Sequence, residues 1–126
     1  MNVAEHLSCE NFEIMAPAGS RESLAAAIKA GADSVYFGIE ALNMRAHSAS
    51  RFTIGDLREI AAICAEKGIK SYLTVNTIIY GEDLPLMRRI CDAAKEAGIS
   101  AVIAADVAVL VYCREIGQEV HLSTQL

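Results

Sequence analysis

One unit recurs four times along this chain: a helical stretch that ends in glycine, followed within a few residues by a short apolar run. Glycine tolerates the left-handed conformation at which helices stop. The stops are Gly31, Gly68, Gly98 and Gly117, and the apolar runs are residues 34–38, 71–76, 101–104 and 120–123. A further strand is predicted at residues 12–16. Strict alternation of strand and helix predicts a parallel sheet with right-handed crossovers.

The helical faces align when residues are counted back from each glycine. Seven positions before it stand Leu24, Ala61, Cys91 and Leu110, and four positions before it stand Ala27, Cys64, Ala94 and Cys113. These positions share one face, which must lie on the sheet. Three cysteines are therefore predicted to be small buried side chains, and Cys9 an exposed thiol. No CxxC pair and no histidine at ligand spacing is present, so no metal site is predicted.

Helix starts are marked by polar residues that cap backbone N–H groups. Ser20, Thr53 with Asp56, and Asp106 precede three of the helical stretches. The predicted fold is α/β: a parallel (β/α) repeat of five strands and four helices. Barrels of such units close at about 250 residues, and this chain has 126. We therefore expect a single partial barrel domain over residues 1–126, with residues 1–11 as a loose N-terminal extension.

Composition excludes several classes of protein. The net charge of −5 and the pI near 5.1 argue against a strong nucleic-acid surface in this segment. No apolar run approaches the ~18 residues of a membrane span, and residues 1–10 contain no signal-peptide core. We expect a cytoplasmic protein with no membrane partner.

Ligands of such folds bind at the carboxyl ends of the strands, in the loops that lead into the helices. Six candidates occupy those loops: Asn43, Arg45, Asn76, Asp106, Thr124 and Gln125. Arg45 either grips an anion or is a solvated loop residue. Asn76 either ties down its loop or faces a ligand. Asp106 is either a helix cap or a base, and the last two residues either bind a ligand or seal the barrel.

Several segments resemble the opening of the peptidase U32 family, the collagenase-like proteases. They are IMAPAGS at 14–20, AGADSVYFG at 30–38, LNMRA at 42–46, TVNT at 74–77 and HLSTQ at 121–125. The resemblance extends over residues 12–126 and implies the N-terminal half of a TIM-like barrel in a longer protein. The family label implies peptide hydrolysis, although no HExxH, GxSxG or Cys–His arrangement is present here.

The resemblance also implies alternatives. Some similar proteins are needed to hydroxylate tRNA or ribosomal RNA bases, or ubiquinone, and their iron-sulfur cysteines lie in a distal region. We therefore expect no cofactor in this segment and an iron-sulfur cluster in the full-length protein. A third reading is an inactive truncated product, or a binding module that pairs with another half.

If the complete protein is an enzyme, we expect the six candidates to form a rim around a peptide, RNA or small-molecule substrate. Arg45 is expected to bind an anionic group, Asn76, Thr124 and Gln125 to orient a polar substrate, and Asp106 to act as the base. The sheet edge after the fifth strand is open, which predicts self-association through that edge.

Overall fold

The computed structural model describes residues 13–39, 52–75 and 84–122. Five strands and four helices alternate along the chain, as predicted. They are β1 (Met15–Pro17), α1 (Arg21–Lys29), β2 (Ser34–Phe37), α2 (Leu57–Glu66), β3 (Lys70–Val75), α3 (Leu84–Ala97), β4 (Ala101–Ala104), α4 (Val107–Ile116) and β5 (Val120–Leu122). A short 3-10 turn, Ile54–Asp56, leads into α2. The first strand lies further along the chain than the predicted 12–16, because its bounds follow its pairing with β2.

The strands form one parallel sheet in chain order, β1-β2-β3-β4-β5. The register pairs Ala16 with Val35, Leu73 with Val102, and Ile103 with His121. Every strand pairs with the strand that precedes it, and one helix connects each pair. Right-handed crossovers then place all the helices on the same side, so the predicted parallel (β/α) repeat is confirmed.

The predicted stop glycines and capping residues lie at the ends of the helices. All four stop glycines have positive φ, from 70° at Gly68 to 88° at Gly31. At the starts, the Ser20 hydroxyl accepts a hydrogen bond from the Ser23 N–H at 3.2 Å. The Thr53 N–H donates to the Asp56 carboxylate at 2.8 Å, which forms the reciprocal half of a capping box.

The core lies between the sheet and the helix layer. Alternate strand residues point into it and meet the inner faces of the helices. Its largest fully buried members include Phe52, Leu57, Ile60, Leu73, Met87, Ile90, Val102 and Val109. Cys64, Cys91 and Cys113 are at most 1% exposed, so the prediction that they are core residues is confirmed.

The opposite face of the sheet carries the other set of alternate residues, among them Tyr36, Tyr72 and Thr74. Within the described ranges, no helix packs on this face. Among the described residues, the large apolar side chains that remain exposed lie on the two edge strands, just before β1, and on the last helix: Ile14, Met15, Val107, Val111 and Leu122. None of the described helices is long and apolar enough to cross a membrane.

Candidate functional site: the sheet face and its carboxyl rim

Asp106 lies two residues after the end of β4, at the carboxyl edge of the sheet, as the sequence predicts. Its Oδ1 accepts a hydrogen bond from the Ala108 N–H at 2.8 Å, so the side chain caps α4. The structure therefore confirms the cap. The role of Asp106 as a base stays a prediction. It is based on the position of the carboxylate at the rim that barrel enzymes use for catalysis.

The other five predicted site residues lie outside the described residues: Asn43, Arg45, Asn76, Thr124 and Gln125. The structure does describe the points from which their segments leave the sheet. Val75 ends β3 and Leu122 ends β5, and both stand at the carboxyl edge. Ile39 and Phe52, on either side of segment 40–51, form an isolated parallel bridge. The predicted rim residues therefore follow strands that end at one edge.

A polar and aromatic cluster occupies the face of the sheet that the helices leave open. Tyr72 donates a hydrogen bond from its hydroxyl to Glu13 Oε1 at 3.1 Å. Its ring lies 5.6 Å from the ring of His121, whose Nε2 is 3.2 Å from Glu119 Oε1. Tyr36 stands beside Tyr72 in register. We call these five residues the face cluster.

Sequence reasoning missed most of the face cluster. His121 is not among the predicted site residues, and the structure places it, exposed, on the open face. The period-two alternation of strands contained a signal, because Tyr36 and Tyr72 occupy positions opposite to their core-facing neighbours Val35 and Leu73. Predicting that Tyr36 and Tyr72 are neighbours also requires the register between β2 and β3, which the sequence does not specify.

The environment of Tyr72 favours its neutral phenol. Burial raises its pKa above the usual tyrosine value, and the hydrogen bond to Glu13 and the charges of Glu13 and Glu119 act in the same direction. At neutral pH Tyr72 therefore donates a hydrogen bond and Glu13 accepts it. Two carboxylates beside aromatic rings make a surface that suits neutral polar or cationic groups better than phosphates.

An ion-pair cluster stands outside the sheet, at the start of α1 and α2. Arg21 Nη2 lies 2.9 Å from Asp56 Oδ1, and the guanidinium also pairs with Glu59. Below it, a cavity of about 260 Å³ is lined mainly by Leu24, Ile28, Phe52, Ile60 and Ile63. These contacts join α1 to the start of α2, and they involve no residue of the face cluster.

The free thiols of Cys64, Cys91 and Cys113 are buried. Burial raises the pKa of Cys64, which keeps that thiol protonated. Among the described residues, no three His, Cys, Asp or Glu side chains converge in a way that could hold a metal ion.

The sequence model of peptidase family U32 matches residues 19–126. The chain belongs to peptidase family U32. The resemblance deduced from the segments at 14–20, 30–38 and 121–125 is thereby confirmed.

Relatives of this U32 chain have two kinds of names. It is 68% identical to a collagenase of Porphyromonas gingivalis over 95% of this chain and 29% of that protein. It is 34% identical to tRNA hydroxylation protein P1 of Bacillus subtilis, over 90% of this chain and 27% of that protein. The chain thus spans less than a third of either relative.

A solved U32 peptidase has a similar fold. The two superpose with a TM-score of 0.63 at 11% identity, over 87% of this chain and 47% of that one. At such low identity the likeness concerns the fold alone. Together with the chain-order parallel sheet, it is consistent with a partial TIM-like barrel.

Proposed function

We propose that this U32 chain forms the first five strands of a peptide-binding barrel, and that the complete protein hydrolyses collagen-like polypeptides. The supporting observation is the 68% identity to a protein named collagenase over 95% of the chain. Relatives at this level generally share the side chains of a common site. The isolated chain is expected to be inactive, since it spans 29% of that relative.

In this proposal the rim residues hold an extended peptide. The amides of Asn43, Asn76 and Gln125 and the hydroxyl of Thr124 donate to and accept from its backbone groups. Arg45 pairs with a substrate carboxylate. Asp106 takes a proton from the attacking water as general base.

The face cluster would line the floor below that rim. Its two tyrosines and His121 offer apolar ring surfaces, while Glu13 and Glu119 contribute negative charge. This composition suits a polypeptide that is rich in neutral and basic side chains, and it disfavours a polyphosphate backbone. It therefore supports the choice of a peptide over RNA as the substrate of this part of the protein.

RNA hydroxylation is the second candidate, favoured by the 34% identity to a tRNA hydroxylation protein. In that case the resemblance implies iron-sulfur ligands in a distal region, and such a cluster in the full-length protein remains a proposal. Because this chain has a net charge of −5, other regions would then have to supply most phosphate contacts.

The two candidates are separated by assaying the full-length protein in parallel. Purified protein is incubated with gelatin and with casein, with and without a chelator, and the modified nucleosides of tRNA from a deletion strain are measured by mass spectrometry. Gelatin cleavage with unchanged tRNA supports the peptidase. No cleavage together with loss of a hydroxylated base overturns it in favour of RNA hydroxylation.

We also propose a cytoplasmic location, which is supported by the lack of a long apolar run in the sequence. Cell fractionation with an antibody against this chain tests it. Recovery in the membrane or culture fluid would contradict the proposal.

A further inference from the structure

A buried hydroxyl without a hydrogen-bond partner lies on the sheet face that the helices leave open. Ser34 begins β2 and is 0% exposed, yet among the described residues its Oγ has no partner. Period-two alternation places it on the same face as Tyr36, because Val35 between them points into the core. An unpaired buried hydroxyl lowers stability. The Ser34 hydroxyl therefore points to a ligand group that the described part of the chain does not supply.

The hydrogen bond between Tyr72 and Glu13 crosses β2 over this serine. Tyr72 is level with Tyr36, which lies two residues beyond Ser34 on β2. On the other edge of β2, the Ser34 N–H donates to the Ile14 carbonyl at 3.1 Å, so the segment that carries Glu13 runs directly beside Ser34. The 3.1 Å contact from the Tyr72 hydroxyl to Glu13 Oε1 therefore passes over Ser34. A carboxylate, a phenol and a hydroxyl thus share one place on the open face.

The negative charge of Glu13 has no cationic partner among the described residues. Their ion pairs involve Arg21 and His121, and neither of these pairs with Glu13. Lys70 begins β3 on the same face as Tyr72, and it forms no ion pair with Glu13 either. In the same part of the chain, no three His, Cys, Asp or Glu side chains converge on a metal ion. The charge of Glu13 is therefore available to an organic cation.

An alkylammonium group matches the three oxygens in number and shape. It is a compact cation with three N–H donors, and the phenol oxygen keeps lone pairs while its own hydrogen is donated to Glu13. We propose that Glu13, Ser34 and Tyr72 form a subsite for the ammonium group of a lysine side chain in a bound peptide. The subsite rests on the proposed peptide-binding function and names a side chain that the floor of the barrel accepts.

Aromatic rings beside the three oxygens suit the rest of a lysine side chain. Tyr36 stands beside Tyr72 in register, and the His121 ring lies 5.6 Å from the Tyr72 ring. Such rings pack against methylene groups, and their faces attract cations. Glu119, 3.2 Å from His121, adds negative charge on the path to the subsite. A guanidinium fits less well, because its five donors in one plane exceed the acceptors offered here.

The test begins with binding by the 126-residue chain. The ¹⁵N-labelled chain is titrated with Nα-acetyl-lysine amide, and amide shifts are followed by NMR. The norleucine derivative has the same four-carbon stem without the ammonium group, so it should bind at least about 10-fold more weakly. The arginine derivative should also bind more weakly. Absence of saturable shifts with lysine, or equal affinity for either of the other two compounds, overturns the proposal.

Ser34→Ala separates a binding role from a structural one. It removes a hydroxyl that has no partner, so the thermal midpoint should stay the same or rise, while the affinity for the lysine derivative falls. Ser71→Ala is the matched control, because Ser71 is 2% exposed and its hydroxyl accepts from the Ser100 N–H at 3.3 Å. That variant should lose stability and keep its affinity. Unchanged affinity in Ser34→Ala overturns the role of its hydroxyl.

Glu13→Gln tests the charge of the subsite. It should weaken binding of the lysine derivative by about 10-fold or more, because the carboxylate is the counter-ion of the ammonium group. Glu96→Gln removes the same charge from the exposed side of α3 and should keep the wild-type affinity. Circular dichroism checks that both variants are folded. Equal affinities in the two folded variants would overturn the proposal.

The subsite and the peptidase activity are separated with the full-length protein. Initial rates are measured on two peptides that differ only in one lysine replaced by norleucine. We expect the lysine peptide to have the higher kcat/KM, and Glu13→Gln to abolish that preference. Equal cleavage of both peptides by the wild type overturns the subsite and leaves the peptidase. Binding of the lysine peptide without cleavage of either supports the subsite and contradicts the peptidase.

Discussion

Asp106 combines the position of a catalytic residue with the contact of a helix cap. Its carboxylate follows a strand at the carboxyl rim, and its Oδ1 holds the Ala108 N–H. An asparagine oxygen can make the same hydrogen bond, whereas an alanine cannot, and only the carboxylate can accept a proton at neutral pH. The two functions can therefore be separated by substitution.

Asp106→Asn in the full-length protein should keep the stability of the fold and lower gelatin hydrolysis by about 100-fold or more, the usual effect of losing a general base. Asp106→Ala should also lower the free energy of unfolding by about 1 kcal/mol, because the cap is lost. Urea denaturation and initial rates measure the two effects. Full activity in folded Asp106→Asn would leave the residue as a cap alone.

The raised pKa of Tyr72 predicts that the stability of the fold depends on pH in the alkaline range. Its pKa is raised in the folded state by burial and by Glu13, so the folded chain holds the phenol proton after the unfolded chain has lost it. This contribution is complete below the ordinary tyrosine pKa of about 10 and is lost as the pH rises beyond it. Stability should therefore fall as the pH rises above about 10.

Tyr72→Phe should make that fall shallower and should cost about 1 kcal/mol at neutral pH through the lost hydrogen bond. Urea midpoints at several pH values measure both. Tyr36→Phe, on the same face and in register with Tyr72, is the control and should keep the wild-type slope. An identical alkaline slope in Tyr72→Phe would contradict the prediction.

At the scale of helices and strands, local chemistry made the order of elements predictable. The stop glycines, the capping residues and the apolar runs each act within a few residues, so five strands and four helices followed from them. Strand bounds were less predictable, as β1 shows: Met15 pairs with Ser34, and pairing across the sheet sets where the strand begins. The face cluster escaped prediction for the same reason, because it depends on the register between distant segments.

The stop glycines provide a test at this scale. Gly117 has φ of 76°, so Gly117→Ala should destabilise the fold by about 1 kcal/mol through backbone strain. Its new Cβ would also press on the Lys95 ammonium, the mobile end of a side chain. Thermal unfolding measures the loss.

Gly19→Ala is the control, because a Cβ at Gly19 meets no atom within 4 Å and its φ is not positive. It should leave the melting temperature close to that of the wild type. An equal fall of the melting temperature in the two variants would indicate that the positive φ at Gly117 is not the cause of the destabilisation.

For the molecule as a whole, the distribution of exposed apolar surface predicts association. The exposed large hydrophobics belong to the edges of the sheet and the last helix, with Leu122 66% and Val107 69% exposed. Edge strands also present unpaired N–H and C=O groups. We therefore expect the 126-residue chain to self-associate through the edge formed by β5.

Sedimentation velocity over a range of concentrations measures this association. Leu122→Lys should shift the chain toward monomer, because it places a charge on the edge, while Ala62→Lys on the exposed face of α2 should not. A monomer at every concentration would contradict the prediction.

The chain-order sheet has a consequence for how the protein is made. Each described strand after the first pairs with the strand synthesised just before it, so none of these four pairings has to wait for a distant segment. As the polypeptide leaves the ribosome, each new β–α unit finds its docking surface already present. Such a molecule can assemble progressively from its first unit onward.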